Sequence, residues 1–83
     1  MEQEELLRRL LRMVEDMAIT VKYDRGNFKG GLVRYHKNDF LYLNRKDDTE
    51  AKINTIVNEL ANRNIPPELM TSEIRKLLDS RRN

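Results

Sequence analysis

Residues 40–62, FLYLNRKDDTEAKINTIVNELAN, decide the fold. Phe40-Leu41-Tyr42-Leu43 has the β-favouring residues of a buried strand, and Asn44-Arg45-Lys46 leads out of it. Asp47 or Asp48 can then cap a helix by accepting a bond from an orphan N–H; Glu50, three residues after Asp47, resembles the acidic member of a capping box. Ala51, Ile53, Ile56, Val57, Leu60 and Ala61 recur at helical spacing and form one apolar stripe. That pattern predicts a helix over residues 47–62. Its stripe must be buried, and the nearest partner is the sheet that holds the strand just before it.

Moving upstream, residues 32–36 read as a second strand, joined to 40–43 by Lys37-Asn38-Asp39. A three-residue loop pairs His36 with Phe40. It sets Val33, Tyr35, Leu41 and Leu43 on one face and Leu32, Arg34, His36, Phe40 and Tyr42 on the other. A two-residue Asn38-Asp39 turn would mix the faces, so the longer loop is preferred for the cleaner apolar surface it offers the helices. Residues 19–23, ITVKY, alternate as a half-buried strand, and Asp24-Arg25-Gly26-Asn27 is a turn signal. Gly30-Gly31 predicts a bulge or a positive φ. Residues 2–17 form a first helix, with Leu6, Leu7, Leu10, Leu11, Val14 and Met17 on one stripe and Glu2, Glu4 and Glu5 at the positive end of its dipole. Downstream, Asn62-Arg63-Asn64 can end the central helix and Pro66-Pro67 blocks its continuation. Ile74, Leu77 and Leu78 mark a short last helix over residues 72–81, with a start at Pro67 as the alternative. The expected architecture is one α+β domain: helix, three-stranded mainly antiparallel sheet, helix and short helix, with the helices on one face.

Composition narrows the function classes. A chain of 83 residues buries only about 60% of its unfolded surface. It has no cysteine, so neither a disulfide nor a thiolate metal site can add stability. Self-association is the remaining common device, and the lack of cysteine fits a cytoplasmic setting. No apolar run is long enough to span a membrane, and the acidic start MEQEELL lacks the basic region of a signal peptide. Net charge is +2 but uneven: residues 19–46 hold 7 basic and 2 acidic groups, +5, whereas residues 47–62 hold 1 and 4, −3. The basic excess therefore falls on the predicted sheet.

Catalytic signatures are weak. His36 is the one histidine and sits near a predicted hairpin tip. Ser72 and Ser80 lack the surroundings of a nucleophile elbow. Asp47, Asp48 and Glu50 do not have calcium-loop spacing. DRGNFKGG mimics part of a P-loop, but no Lys-Ser/Thr pair follows and the next element is a strand. No catalytic residue, metal ligand or cofactor is assigned on these grounds.

One resemblance bears on the central stretch. A strand ending in Leu43-Asn44, a short acidic turn, and a helix with two polar residues four apart around a glutamate resembles the core of zincin-like metallopeptidases, notably bacterial ones that cleave transcriptional regulators. In that family the helix carries His-Glu-x-x-His; here Asn58-Glu59-Leu60-Ala61-Asn62 stands at the corresponding place. FKGGLVRYHKNDFLYLN also resembles small bacterial proteins that keep the hairpin and helix alone. The resemblance covers residues 19–62. It implies a degenerate scaffold, because zinc needs two imidazoles at that spacing, a third ligand and an open position. Asn58 and Asn62 keep the spacing with amides, which are poor zinc ligands, and Glu59 matches the family's general base by position only.

Two functions follow as expectations. The first is a non-catalytic protein-interaction domain, homodimeric through an outer sheet face of Leu32, Arg34, His36, Phe40 and Tyr42, whose apolar content exceeds that of a solvated face. The second is single-stranded nucleic-acid binding on that face, with the aromatic rings stacking on bases and Lys22, Arg34, Arg45 and Lys46 meeting phosphates.

Overall fold

The computed structural model describes residues 2–61 and 63–81. The elements are α1 (Gln3–Asp16), β1 (Ile19–Asp24), β2 (Gly31–Tyr35), β3 (Asn38–Asn44), α2 (Thr49–Leu60), a 3-10 turn at Pro67–Leu69 and α3 (Ser72–Asp79). The α+β order expected from periodicity is observed.

Side chains cap the starts of α2 and α3, and a left-handed residue ends α1. Asp48 caps α2, its carboxylate accepting from the Ala51 N–H at 2.8 Å. Asp47 instead closes the preceding turn, its N–H donating to the Asn44 carbonyl. With Ala51 at the third helical position, no reciprocal capping box forms. Thr71 caps α3 by accepting from the Ile74 N–H at 3.2 Å, so Pro67 opens a separate single turn and not the last helix. α1 stops at Ala18, which adopts φ 62°. This is the left-handed position that usually falls to glycine.

The sheet departs from expectation in direction and in register. Its strand order is β1-β3-β2, so the last strand in the chain lies in the middle. β1 runs parallel to β3, with Ile19 opposite Asp39 and Asp24 opposite Asn44. β2 runs antiparallel to β3, pairing Gly31 with Tyr42, Val33 with Phe40 and Tyr35 with Asn38. The sheet is therefore mixed rather than mainly antiparallel. The hairpin turn is His36-Lys37, two residues, in place of the expected Lys37-Asn38-Asp39. His36 takes φ 57° to close it, as the first central residue of a type II′ turn does. Phe40 thus pairs with Val33 instead of His36, a shift of three positions, and an odd shift exchanges the faces of β2. Leu32 now lies beside Leu41, facing the helices, and Val33 and Tyr35 face away.

Leu41, Leu43 and Ile19 from the sheet pack with Leu10, Met13 and Val14 of α1 and Ile53, Ile56, Val57 and Leu60 of α2; Ile65, Ile74 and Leu78 complete one core. α1 lies on β1 and against α2, α2 lies on β2 and β3, and α3 packs on α2. All helices thus share one face of the sheet.

The chain must pass from β1 over the end of β3 to reach β2, and residues 25–30 make that crossing. Asn44, at the end of β3 and 5% exposed, is the one buried polar side chain among the described residues. Its amide donates to the Gly26 carbonyl at 2.8 Å and the Phe28 carbonyl at 2.9 Å, and its Oδ1 accepts from the Lys46 N–H at 3.0 Å. Gly30 then passes so close to β3 that a Cβ there would collide with the Tyr42 carbonyl oxygen. Neither Gly30 nor Gly31 has positive φ. The glycine pair serves close approach, not a left-handed bend.

Candidate interaction surface

The face of the sheet that no helix covers is built in rows across the strands. Thr20, Phe40 and Val33 form one row; Lys22 and Tyr42 form the next, which ends at the backbone of Gly31. Tyr35 lies beside Asn38 at the hairpin end. Val33 is 49% exposed and Tyr35 65%, while Phe40 and Tyr42 are half-buried. The Phe40 and Tyr42 rings lie 6.4 Å apart at 42°, and Tyr35 meets the His36 imidazole edge-on at 4.3 Å. A β-branched residue and three aromatics on one uncovered face are more apolar than a solvated surface requires.

Of the residues assigned to this face from sequence, Phe40 and Tyr42 are there. Leu32 and Arg34 are not, because the two-residue turn sends both to the opposite side, and His36 occupies the turn itself. Arg34 is engaged there: its Nε donates to Asp39 Oδ1 at 3.0 Å, and Arg63, just past α2, approaches the other carboxylate oxygen at 3.6 Å. The Arg34 bond chiefly, with the charges of Arg34 and Arg63, holds the Asp39 carboxyl below the usual carboxylate range against the opposing effect of desolvation. The same contact raises the Arg34 pKa.

The other predicted phosphate contacts remain free. Lys22 stands beside Tyr42 on the outer face, and Arg45 and Lys46 follow β3 directly. All three are exposed and outside the ion pairs formed among the described residues. Arg25 and Lys29, in the crossing loop, are also exposed and form no ion pair among the described residues; their share of the +5 excess is visible in the sequence, but their placement at the same end of the sheet is not.

The residues that stand where the peptidase motif would be are occupied otherwise. Asn58 Oδ1 accepts from Arg81 at 2.8 Å, and Asn54 Oδ1 accepts from the same guanidinium at 3.0 Å. Asn58 is thus part of a clamp holding the residues just after α3 to α2. Glu59 lies over β2, its Oε1 2.8 Å from where a Cβ on Gly31 would be. Asn62 lies outside the described residues. A cleft of about 500 Å³ runs between the crossing loop and α2, lined by Lys29, Asn54, Asn58 and Glu59 among others. It holds no imidazole, and among the described residues no three His, Asp or Glu side chains converge on a point where a metal could sit. No helix among the described residues is long and apolar enough to cross a membrane.

Comparison with protein-family models, with curated proteins and with solved structures finds no match to this chain.

Proposed function

We propose that this domain is a non-catalytic interaction module that works by self-association through the uncovered side of its sheet, in a cytoplasmic setting. The observation that carries this reading is the row structure of that side. Val33, Tyr35, Phe40 and Tyr42 are contiguous across β2 and β3, with Thr20 and Lys22 as a polar margin on β1. Aromatic anchors with a polar rim are the usual anatomy of an interface core, and a small domain without disulfides gains apparent stability from a second copy. Sedimentation of the wild-type chain over a concentration series tests it. A dimer is expected, and Tyr42→Asp is expected to shift it toward monomer by burying a charge among the aromatics.

A second reading is supported by one specific feature: unpaired Lys22 sits in register beside Tyr42, with Arg45 and Lys46 just beyond the strand. That pairs stacking surfaces with phosphate-binding cations, as single-strand binders do. Under it, the wild type is a monomer that binds a mixed oligonucleotide with affinity falling steeply as salt is added. Absence of both self-association and oligonucleotide binding would overturn both readings.

A further inference from the structure

Taking from the self-association reading only that two copies associate, and placing the contact at the sheet's edge so that the uncovered faces lie side by side, we infer that two copies join along the free edge of β2, in one register, to form a continuous six-stranded sheet. The free edge follows from the hairpin. In a two-residue hairpin the closing pair, here Tyr35 and Asn38, is hydrogen-bonded, and bonded pairs then alternate along the ladder. Tyr35, Val33 and Gly31 therefore bond to β3, and Leu32 and Arg34 point their N–H and C=O groups outward. Among the described residues no other backbone hydrogen bond reaches Leu32 or Arg34. β2 has no proline and no lysine, and its one charged side chain, Arg34, is tied back to Asp39. The opposite edge, β1, exposes Thr20, Lys22, Tyr23 and Asp24, two of them charged.

The edge is self-complementary about a two-fold axis at Val33. Leu32 of each copy then bonds to Arg34 of the other, and the two Val33 side chains meet in a non-hydrogen-bonded pair. Arg34 faces a leucine, so the like charges are not opposed. Tyr35 falls opposite Gly31, which offers no side chain; the direction a Cβ would take there leads to the end of the Glu59 side chain, which comes from α2 on the helix-covered side. Beyond Gly31 in the same row stands Tyr42, so the Tyr35 ring of one copy extends the aromatic surface of the other. The rows become Phe40-Val33-Val33-Phe40 and Tyr42-Gly31-Tyr35, and the apolar faces merge. Because the pairing is two-fold and uses up both β2 edges, while the β1 edges that stay outside carry the charges of Lys22 and Asp24, it closes at two copies instead of continuing into a filament.

The absence of cysteine makes a direct test available. In the inferred register the two residues 33 lie about 4.5 Å apart between Cα atoms, within the disulfide range. Two residues 35 are offset by four positions, about 13 Å. Val33→Cys is expected to form a disulfide-linked dimer under mild oxidation, and Tyr35→Cys to remain uncrosslinked. Arg34→Pro, which removes an outward N–H but no ladder bond, is expected to weaken association about 10- to 100-fold by losing two symmetric bonds. Arg34→Ala, which loses the Asp39 contact but keeps the N–H, should still dimerise. A wild-type dimer in which Val33→Cys fails to crosslink, or Tyr35→Cys crosslinks as readily, overturns the edge pairing and leaves self-association standing. A wild type that is monomeric at high concentration overturns both, and species larger than dimers overturn the closed two-fold arrangement.

Discussion

Replacing Asn44 tests whether the sheet depends on the staple at the end of its middle strand. Asn44→Ala removes three hydrogen bonds, two to carbonyls of the crossing loop and one from the Lys46 amide. At about 0.5–1.5 kcal/mol net each, the total is about 1.5–4.5 kcal/mol. The loop is exposed at Asn27 and Phe28, so water can replace part of the loss and about 2 kcal/mol is expected, read as a lower urea midpoint at unchanged slope. Asn44→Asp is the sharper variant. It keeps an acceptor for the Lys46 N–H but aims a carboxylate at two carbonyl oxygens, so at neutral pH it should cost at least as much as alanine. Protonation restores one donor, and the carboxyl pKa in the folded state should lie above its unfolded value. The deficit relative to wild type at the same pH should then shrink as pH falls through that raised value. Lys46 amide exchange should accelerate in Asn44→Ala and not in Asn44→Asp. An alanine variant within about 0.5 kcal/mol of wild type, where ordinary surface substitutions fall, would refute the assigned role.

Leu60 is fully buried; Leu60→Ala should cost about 2–5 kcal/mol, and an unchanged denaturation midpoint would mean that α2 presents a different face to the sheet. Ala18→Gly should raise stability by about 0.5–1 kcal/mol, because glycine holds the left-handed φ without a Cβ clash; thermal unfolding reads this, with Ala18→Val expected to move the other way. Asp39→Asn should be less stable than wild type at neutral pH. Because the native carboxyl pKa is depressed, its contribution is complete above the unfolded carboxylate range and is lost as pH falls through the folded value, so the two proteins should converge in acid.

The α2 stripe, the strand runs and the helix count are legible in the sequence because burial imposes a period on apolar residues. Periodicity carries no strand direction, which is why the parallel pairing of β1 with β3 is not readable from it. Register fails for a different reason: His36 adopts positive φ without being glycine or asparagine, so nothing marks the two-residue turn, and the preference for a cleaner helix-facing surface selects the wrong partner for Phe40. Half of the outer face survives that error, since Phe40 and Tyr42 share a strand and alternate with Leu41 and Leu43 whatever pairs beside them. Met13 is buried but falls outside the leucine stripe read from α1. Asn44 is visible only as the polar end of a strand; its importance comes from a loop eighteen positions earlier, which no local pattern encodes.

Placing β3 between β1 and β2 also has a consequence for synthesis from the N-terminus. β1 and β2 are made first, yet neither pairs with the other. Ile19 waits for Asp39, twenty positions later, while Tyr35 and Asn38 close locally. When synthesis has not yet passed residue 38, α1 is the one regular element among the described residues before β3 that does not need β3 to form. The hairpin can form once β3 emerges, and β1 can dock only onto a middle strand already in place, at the greater loop-closure cost. The crossing loop should accordingly be the last part of the sheet to become protected from proteolysis, at the moment Asn44 emerges to bind it.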